Sequence, residues 1–136
     1  MKYIELVGRF LYSLIFLRTI MNHFTAEAVG YAVFSGIPVP SVLVPLSGVL
    51  AIIGAISIIF GYKTKWGALL IVAFLIPVTL FMHAFWKETD PMEAQRQMTN
   101  FMKNTSMLGA ALIISYFGAG PLSIDAKTKT DSKKKK

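Results

Sequence analysis

The chain has 136 residues, 54% of them apolar, and 14 Lys and Arg against 7 Asp and Glu give it a formal charge of +7. Its mean hydropathy of +0.58 is too high for an ordinary soluble domain, and its length fits one domain. It has no cysteine, which excludes dithiol–disulfide chemistry, thiolate metal sites and cysteine-held iron–sulfur clusters within this chain.

Four nearly charge-free segments lie at about 4–21, 41–60, 66–85 and 98–117. Each has the roughly 20 residues that a helix needs to cross a hydrocarbon core of about 30 Å. Backbone polar groups in lipid must be satisfied internally, so these runs predict an all-α bundle of four transmembrane helices. Barrel strands would alternate polar and apolar residues over about ten positions. These runs do not.

The first segment begins like a signal peptide after Lys2, but Glu5, Arg9 and Arg18 interrupt it and predict a retained helix. Glu5 and Arg9 stand four residues apart in the favourable order, which predicts a structural ion pair facing the bundle. A proton or substrate path is the other reading of an arginine there. Between Asn22 and Pro40, apolar residues at loosely helical spacing predict a short interfacial helix before a proline-bounded turn.

The second helix has no ionisable group. Ser47, Ala51 and Ala55 recur at four-residue spacing beside Gly48 and Gly54, a seam of small residues that lets backbones approach. "GYKTK" then reads as a tight turn. The third helix runs from Trp66 to Trp86, the aromatic belts of its two ends. Pro77 should free the carbonyl of Ala73 and kink it. Thr79, His83 and Lys87 follow as a polar stripe. Asp90-Pro91 predicts a helical start in the loop, and Gln97, Asn100, Lys103 and Asn104 open the fourth helix on one face. "FGAGPLSID" ends it, and residues 126–136 read as a disordered basic tail.

With the N-terminus inside, Lys2, Lys63, Lys65, Lys127, Lys129 and the lysines at 133–136 all fall on the inner side. Lys87 and Arg96 lie outside, and Arg18 and Lys103 sit at outer helix ends. The positive-inside rule then places both termini in the cytoplasm. The lysine tail reads as a lipid-facing topology signal rather than a nucleic-acid site.

The polar residues at the outer helix ends form a candidate pocket of His83, Lys103, Asn104, Asn100 and Arg18, with Phe85, Trp86, Phe101 and Met107 as its lining. Ordinary interfacial polarity explains the same residues. Haem ligation wants two opposed imidazoles, and His23 lies at or past its helix end. No carboxylate or thiolate accompanies His83, so no metal site is expected. A quinone needs only an apolar slot, aromatic walls and donors to its oxygens, which His83, Lys103 and Asn104 could supply.

"VGRFLYSLIFL", "GIPVPSVLVPLSGVLAIIGAISIIFGYKTK", "HAFW", "FMKNTSMLGAALI" and "GAGPLSID" together resemble the DoxX family of small four-helix bacterial membrane proteins, over residues 3–125. Positions matching that family's recurring polar residues are Gly8, Arg9, His83, Phe85, Trp86, Lys103, Asn104, Ser123 and Asp125. Two positions depart from it: Ala51 replaces a helix 2 glutamate, and a Gly-x-x-Lys reads Ile20 and His23. The resemblance implies an accessory or quinone-interacting subunit of a membrane oxidoreductase or oxidative-stress system. With no electron carrier of its own, the chain would act through bound quinone and a partner subunit. A membrane scaffold or assembly subunit is the alternative, and a small transporter the third. The expected partners are the bilayer, an oxidoreductase subunit or further copies of the chain.

Overall fold

The computed structural model describes residues 2–134, and among them all regular structure is helical. Helix α1 (Lys2–Thr19) passes through a 3-10 segment (Ile20–Phe24) into the short α2 (Ala26–Phe34). A hairpin of α3 (Pro40–Phe60) and α4 (Thr64–Pro77) follows, and α4 continues as a π-helix (Val78–Met82) and a 3-10 turn (Phe85–Lys87). Next come α5 (Pro91–Phe117) and α6 (Ile124–Lys134).

The helix starts follow from local caps. Thr25 Oγ1 accepts from Ala28 N at 3.2 Å, which starts the expected short helix as α2. Asp90 Oδ2 accepts from Glu93 N at 3.2 Å and Pro91 takes the first helical position, so α5 begins well before the expected 98. Ser123 Oγ accepts from Ala126 N at 3.1 Å and starts α6. The segment expected as a disordered tail is therefore helical through Lys134, while residues 135–136 lie outside the described residues.

The core draws Phe16 from α1, Ala51, Ala55 and Ile58 from α3, Ala68, Ile71, Phe74 and Leu75 from α4, and Ala111 from α5. Many of these side chains are small. The large ones turn outward on the same four helices: Val7 and Leu11, Val42 and Ile53, Leu69 and Ile76, Ile113 and Phe117. Helices apolar all round need an apolar solvent or a larger protein about them. Two stretches, Pro40–Phe60 and Thr64–Lys87, are long and apolar enough to cross a membrane.

The seam of small residues places Ala51 and Ala55 in the core, whereas Ser47 bonds back to Val44 O at 2.7 Å. Gly54 of α3 and Gly67 of α4 face each other closely. A Cβ on Gly54 would stand 2.8 Å from Gly67 O, and one on Gly67 would stand 2.5 Å from Ser57 Cβ. The pair is reciprocal, so neither helix can yield alone.

At Pro77 the chain does not simply kink. Beyond it the chain continues as the π-helix, with bonds from residue i to i+5 in place of the α-helical ones. The wider π turn also rotates the expected polar stripe. Thr79 is buried, His83 half-buried and Lys87 exposed.

The α3–α4 turn is clasped from both sides. Gly61 ends α3 at φ 65°, and Lys63 precedes α4 at φ 47° with no cap of its own. Asp125 supplies the cap from α6: Oδ1 accepts from Lys63 N at 2.7 Å, and Oδ2 from Thr64 N at 3.0 Å and Thr64 Oγ1 at 2.9 Å. Arg9 enters from α1, donating from Nη1 to Ile58 O at 3.3 Å and Ile59 O at 3.4 Å, and from Nη2 to Leu122 O. Glu5 and Arg9 do not come within the expected ion-pair contact, although the charge of Glu5 still acts on the guanidinium. Among the described residues the ion pair is Arg96–Glu93, and the Arg9 guanidinium lies on carbonyls at the negative end of α3. Glu5 instead lies against Gly120.

Burial pushes the Asp125 carboxyl up, but the hydrogen bonds from Thr64 and Lys63 and the charge of Lys129 outweigh it, and its pKa falls below the ordinary value. A depressed carboxyl contributes stability above its unfolded pKa of about 3.9, and that contribution is lost as pH falls through the folded value. Asp125→Ala should therefore cost about 0.5–2 kcal/mol at neutral pH, the range for a lost helix cap. The stability gap between wild type and variant, measured by thermal unfolding in detergent, should close below about pH 4. A gap independent of pH would assign the effect to packing.

Candidate functional site

The most connected polar cluster lies at the end of the bundle opposite Asp125. Gln97, buried on α5, is its hub. Gln97 Nε2 donates to Tyr31 Oη at 2.9 Å and to Glu93 Oε1 at 2.8 Å, and Tyr31 Oη donates to Met82 O at 3.2 Å. An ionised Glu93 can only accept, which fixes the amide orientation of Gln97. Gln97 Oε1, 2.8 Å from His83 Nδ1, is then the acceptor, so His83 carries its proton on Nδ1. Its Nε2 makes no hydrogen bond to a described residue.

Glu93 also takes two bonds from Arg96, Nε to Oε2 at 2.8 Å and Nη2 to Oε1 at 2.6 Å. These, with the bond from Gln97, hold its carboxyl below the usual carboxylate range. The cluster thus ties three elements together: α2 through Tyr31, the π-helix and its exit through Met82 and His83, and α5 through Gln97 and Glu93.

Beside it opens a pocket of about 180 Å³, walled by Tyr31, Phe34, Phe81, Met82 and Ala84 with Lys87 and Glu88 among its lining. Met82 and Ala84 flank His83 in the chain, but His83 itself does not line the pocket.

Only part of the expected pocket assembles. His83 joins the network through its bond to Gln97. Asn104 is buried seven residues along α5 from Gln97, on the same helix face, and its side chain makes no hydrogen bond to a described residue. Lys103 Nζ turns to Asn100 Oδ1 at 3.0 Å on the exposed flank of α5. Arg18 is exposed at the end of α1 and takes no part. The expected aromatic lining is filled by its own members: Phe85 packs on Trp86 and on Phe101 at centroid distances of 5.1 and 5.5 Å, and Trp86 on Phe101 at 5.8 Å. Met107 faces the core, and its carbonyl accepts from Tyr12 Oη at 3.0 Å.

Tyr31, Glu93 and Arg96 were not expected in the site. Tyr31 is a polar-tipped aromatic on a short interfacial helix, and Glu93 and Gln97 stand four apart on α5. Both are weak signals in sequence, because the partner across the bundle is set by tertiary packing.

The all-helical fold, the small-residue interior and the large apolar exterior define a helical membrane protein. The SURF4 family model matches residues 1–131, and the chain belongs to the SURF4 family. Inner membrane protein YphA of Escherichia coli K12 is 29% identical over 99 residues, 73% of this chain and 70% of YphA. Inner membrane protein YqjF of the same organism is 28% identical over 120 residues, 88% of each chain. ER-derived vesicles protein ERV29 of Saccharomyces cerevisiae is 32% identical over 81 residues, 60% of this chain but 26% of ERV29, so the chain spans about a quarter of that protein. No solved structure matches.

The family membership overturns the DoxX resemblance, which rested on short apolar phrases, none of them decisive alone. The reading as an oxidoreductase subunit, which came through that resemblance, falls with it.

Proposed function

We propose that the protein is a four-span protein of the bacterial inner membrane, with both termini in the cytoplasm, and that it binds an amphiphilic ligand at its outward end. The observation that carries the binding role is the pocket beside His83, built on a network that locks α2, the π-helix and α5 together. Tyr31, Phe34 and Phe81 suit an apolar body, and Lys87 and Glu88 suit a charged or zwitterionic head. Four spans are supported by the outward apolar faces of α1 and α5, which match those of α3 and α4. The inner-membrane location is supported by the names of the two E. coli relatives. The orientation is supported by the lysines at the Asp125 end.

The topology is directly testable because the chain has no cysteine. In intact spheroplasts a membrane-impermeant maleimide should label the Thr89→Cys variant. It should label the Thr130→Cys variant only after permeabilisation. The opposite pattern would invert the orientation, and labelling of both without permeabilisation would rule out the four-span arrangement.

For binding, Phe34 is the test residue, since it lines the pocket and is 84% exposed, so removing it should not unfold the bundle. Mass spectrometry of protein purified in mild detergent should find an amphiphile, a quinone counting as one, enriched over bulk lipid. Phe34→Ala should retain about tenfold less of it, the loss expected for one aromatic contact. If wild type and variant carry the same bulk lipids in the same proportion, the pocket is not a binding site.

A further inference from the structure

At the Asp125 end, α6 presents Lys127 and Lys129 exposed, and the α3–α4 turn presents Lys63 and Lys65. The two elements are fixed to each other. Asp125 N donates to Gly61 O at 2.8 Å while its carboxylate caps α4, so the lysines share one platform. The same bonds draw the negative charge of Asp125 into the clasp, which leaves Asp131 as the remaining acid on α6. Lys65 Nζ donates to Tyr116 O at 2.6 Å, and Lys63 Nζ stands 5.7 Å from the ring centre of Tyr62. Neither contact removes the charge. Ile124, 42% exposed at the start of α6, adds an apolar contact beside these cations.

Helix α6 spans 11 residues and is polar over most of its surface. Isolated helices of that length are marginal in water. Its sequence runs on into the lysines at 133–136. A basic helix with an apolar residue at its root, clamped to the end of an apolar bundle, is complementary to a negatively charged lipid surface.

We propose that α6 and the α3–α4 turn form a docking surface for anionic lipid headgroups, holding this end of the bundle against its leaflet. The proposal rests on the four-span reading only in placing this end at a membrane surface. The maleimide labelling reports that placement separately. Vesicles with the same lipids in both leaflets make the docking test independent of orientation.

The test uses the full chain with Ser132→Cys carrying a fluorophore, reconstituted in phosphatidylcholine vesicles with or without phosphatidylglycerol. Phosphatidylglycerol should reduce quenching of the label by acrylamide severalfold, and added salt should restore it. Lys127→Gln with Lys129→Gln should weaken docking about twenty-five-fold, about fivefold for each lysine. Equal quenching in both lipids overturns the proposal. So does a phosphatidylglycerol effect that persists in the double variant. Protection by added RNA on phosphatidylcholine vesicles, without a lipid effect, would make the surface a nucleic-acid site and overturn it as well.

Discussion

Gly67→Leu should leave little folded monomer in mild detergent, because the space at Gly67 is already occupied from two sides. A Cβ there would stand 2.2 Å from Ser57 Oγ and 3.2 Å from Gly54 O. Ser57 cannot swing aside freely, since its hydroxyl donates to Tyr62 O at 2.6 Å and so helps to shape the turn. Gly54 cannot retreat either, as Ile71 and the Gly67 carbonyl lie on it. Forcing a side chain into a packed core costs about 1–3 kcal/mol, and obstruction by backbone puts this site at the upper end. Gly109→Ala is the matched control. A Cβ there meets nothing within 4 Å, and alanine raises helix propensity by about 0.5–1 kcal/mol. Thermal unfolding followed by size-exclusion recovery separates the two variants. Equal recovery of both would mean that α3 and α4 do not depend on close backbone approach.

The second large effect is expected at Arg9→Met. The side chain is 4% exposed and serves the carbonyls of Ile58, Ile59 and Leu122, joining α1 to the end of α3 and to the segment before α6. Methionine fills similar volume but donates nothing. The half-buried carbonyls of Ile59 and Leu122 would lose these hydrogen bonds, at about 1–2 kcal/mol each, below the full cost of a wholly buried group left unsatisfied. Relief of the desolvated charge offsets part of this, so a net loss of about 2 kcal/mol is expected. Arg9→Lys should recover only part, because one ammonium on a shorter reach cannot span three carbonyls as the guanidinium fork does. Melting temperatures of the two variants test this. A lysine variant as stable as wild type would show that the charge alone matters, through the dipole of α3.

The sequence was a good guide wherever the signal was local. The apolar runs mark α1 and α3 within two residues and locate α4 and α5, though α5 starts seven residues before its run, because hydrophobicity and helix length are one-dimensional properties. Caps written in adjacent residues, Thr25, Asp90 and Ser123, set the starts of α2, α5 and α6. The α6 start was nevertheless missed, since the basic composition beyond it reads as disorder and its second anchor, the Asp125 clasp, joins residues some sixty positions apart. The family was misread for a related reason. Apolar phrases record what lipid and packing tolerate, and many sequences meet the same demand.

Sequence alone determined that this is an all-helical chain with an apolar exterior, a small-residue interior seam and a basic end. Those properties follow from residue type and period. The tertiary structure decided which polar groups meet. Gln97 reaches back 66 positions to Tyr31 and 14 to His83, and Arg9 leaves Glu5, four residues away, for carbonyls 49, 50 and 113 positions on. A buried donor takes whichever acceptor packing brings within about 3 Å in the right direction, and separation along the chain carries no information about that.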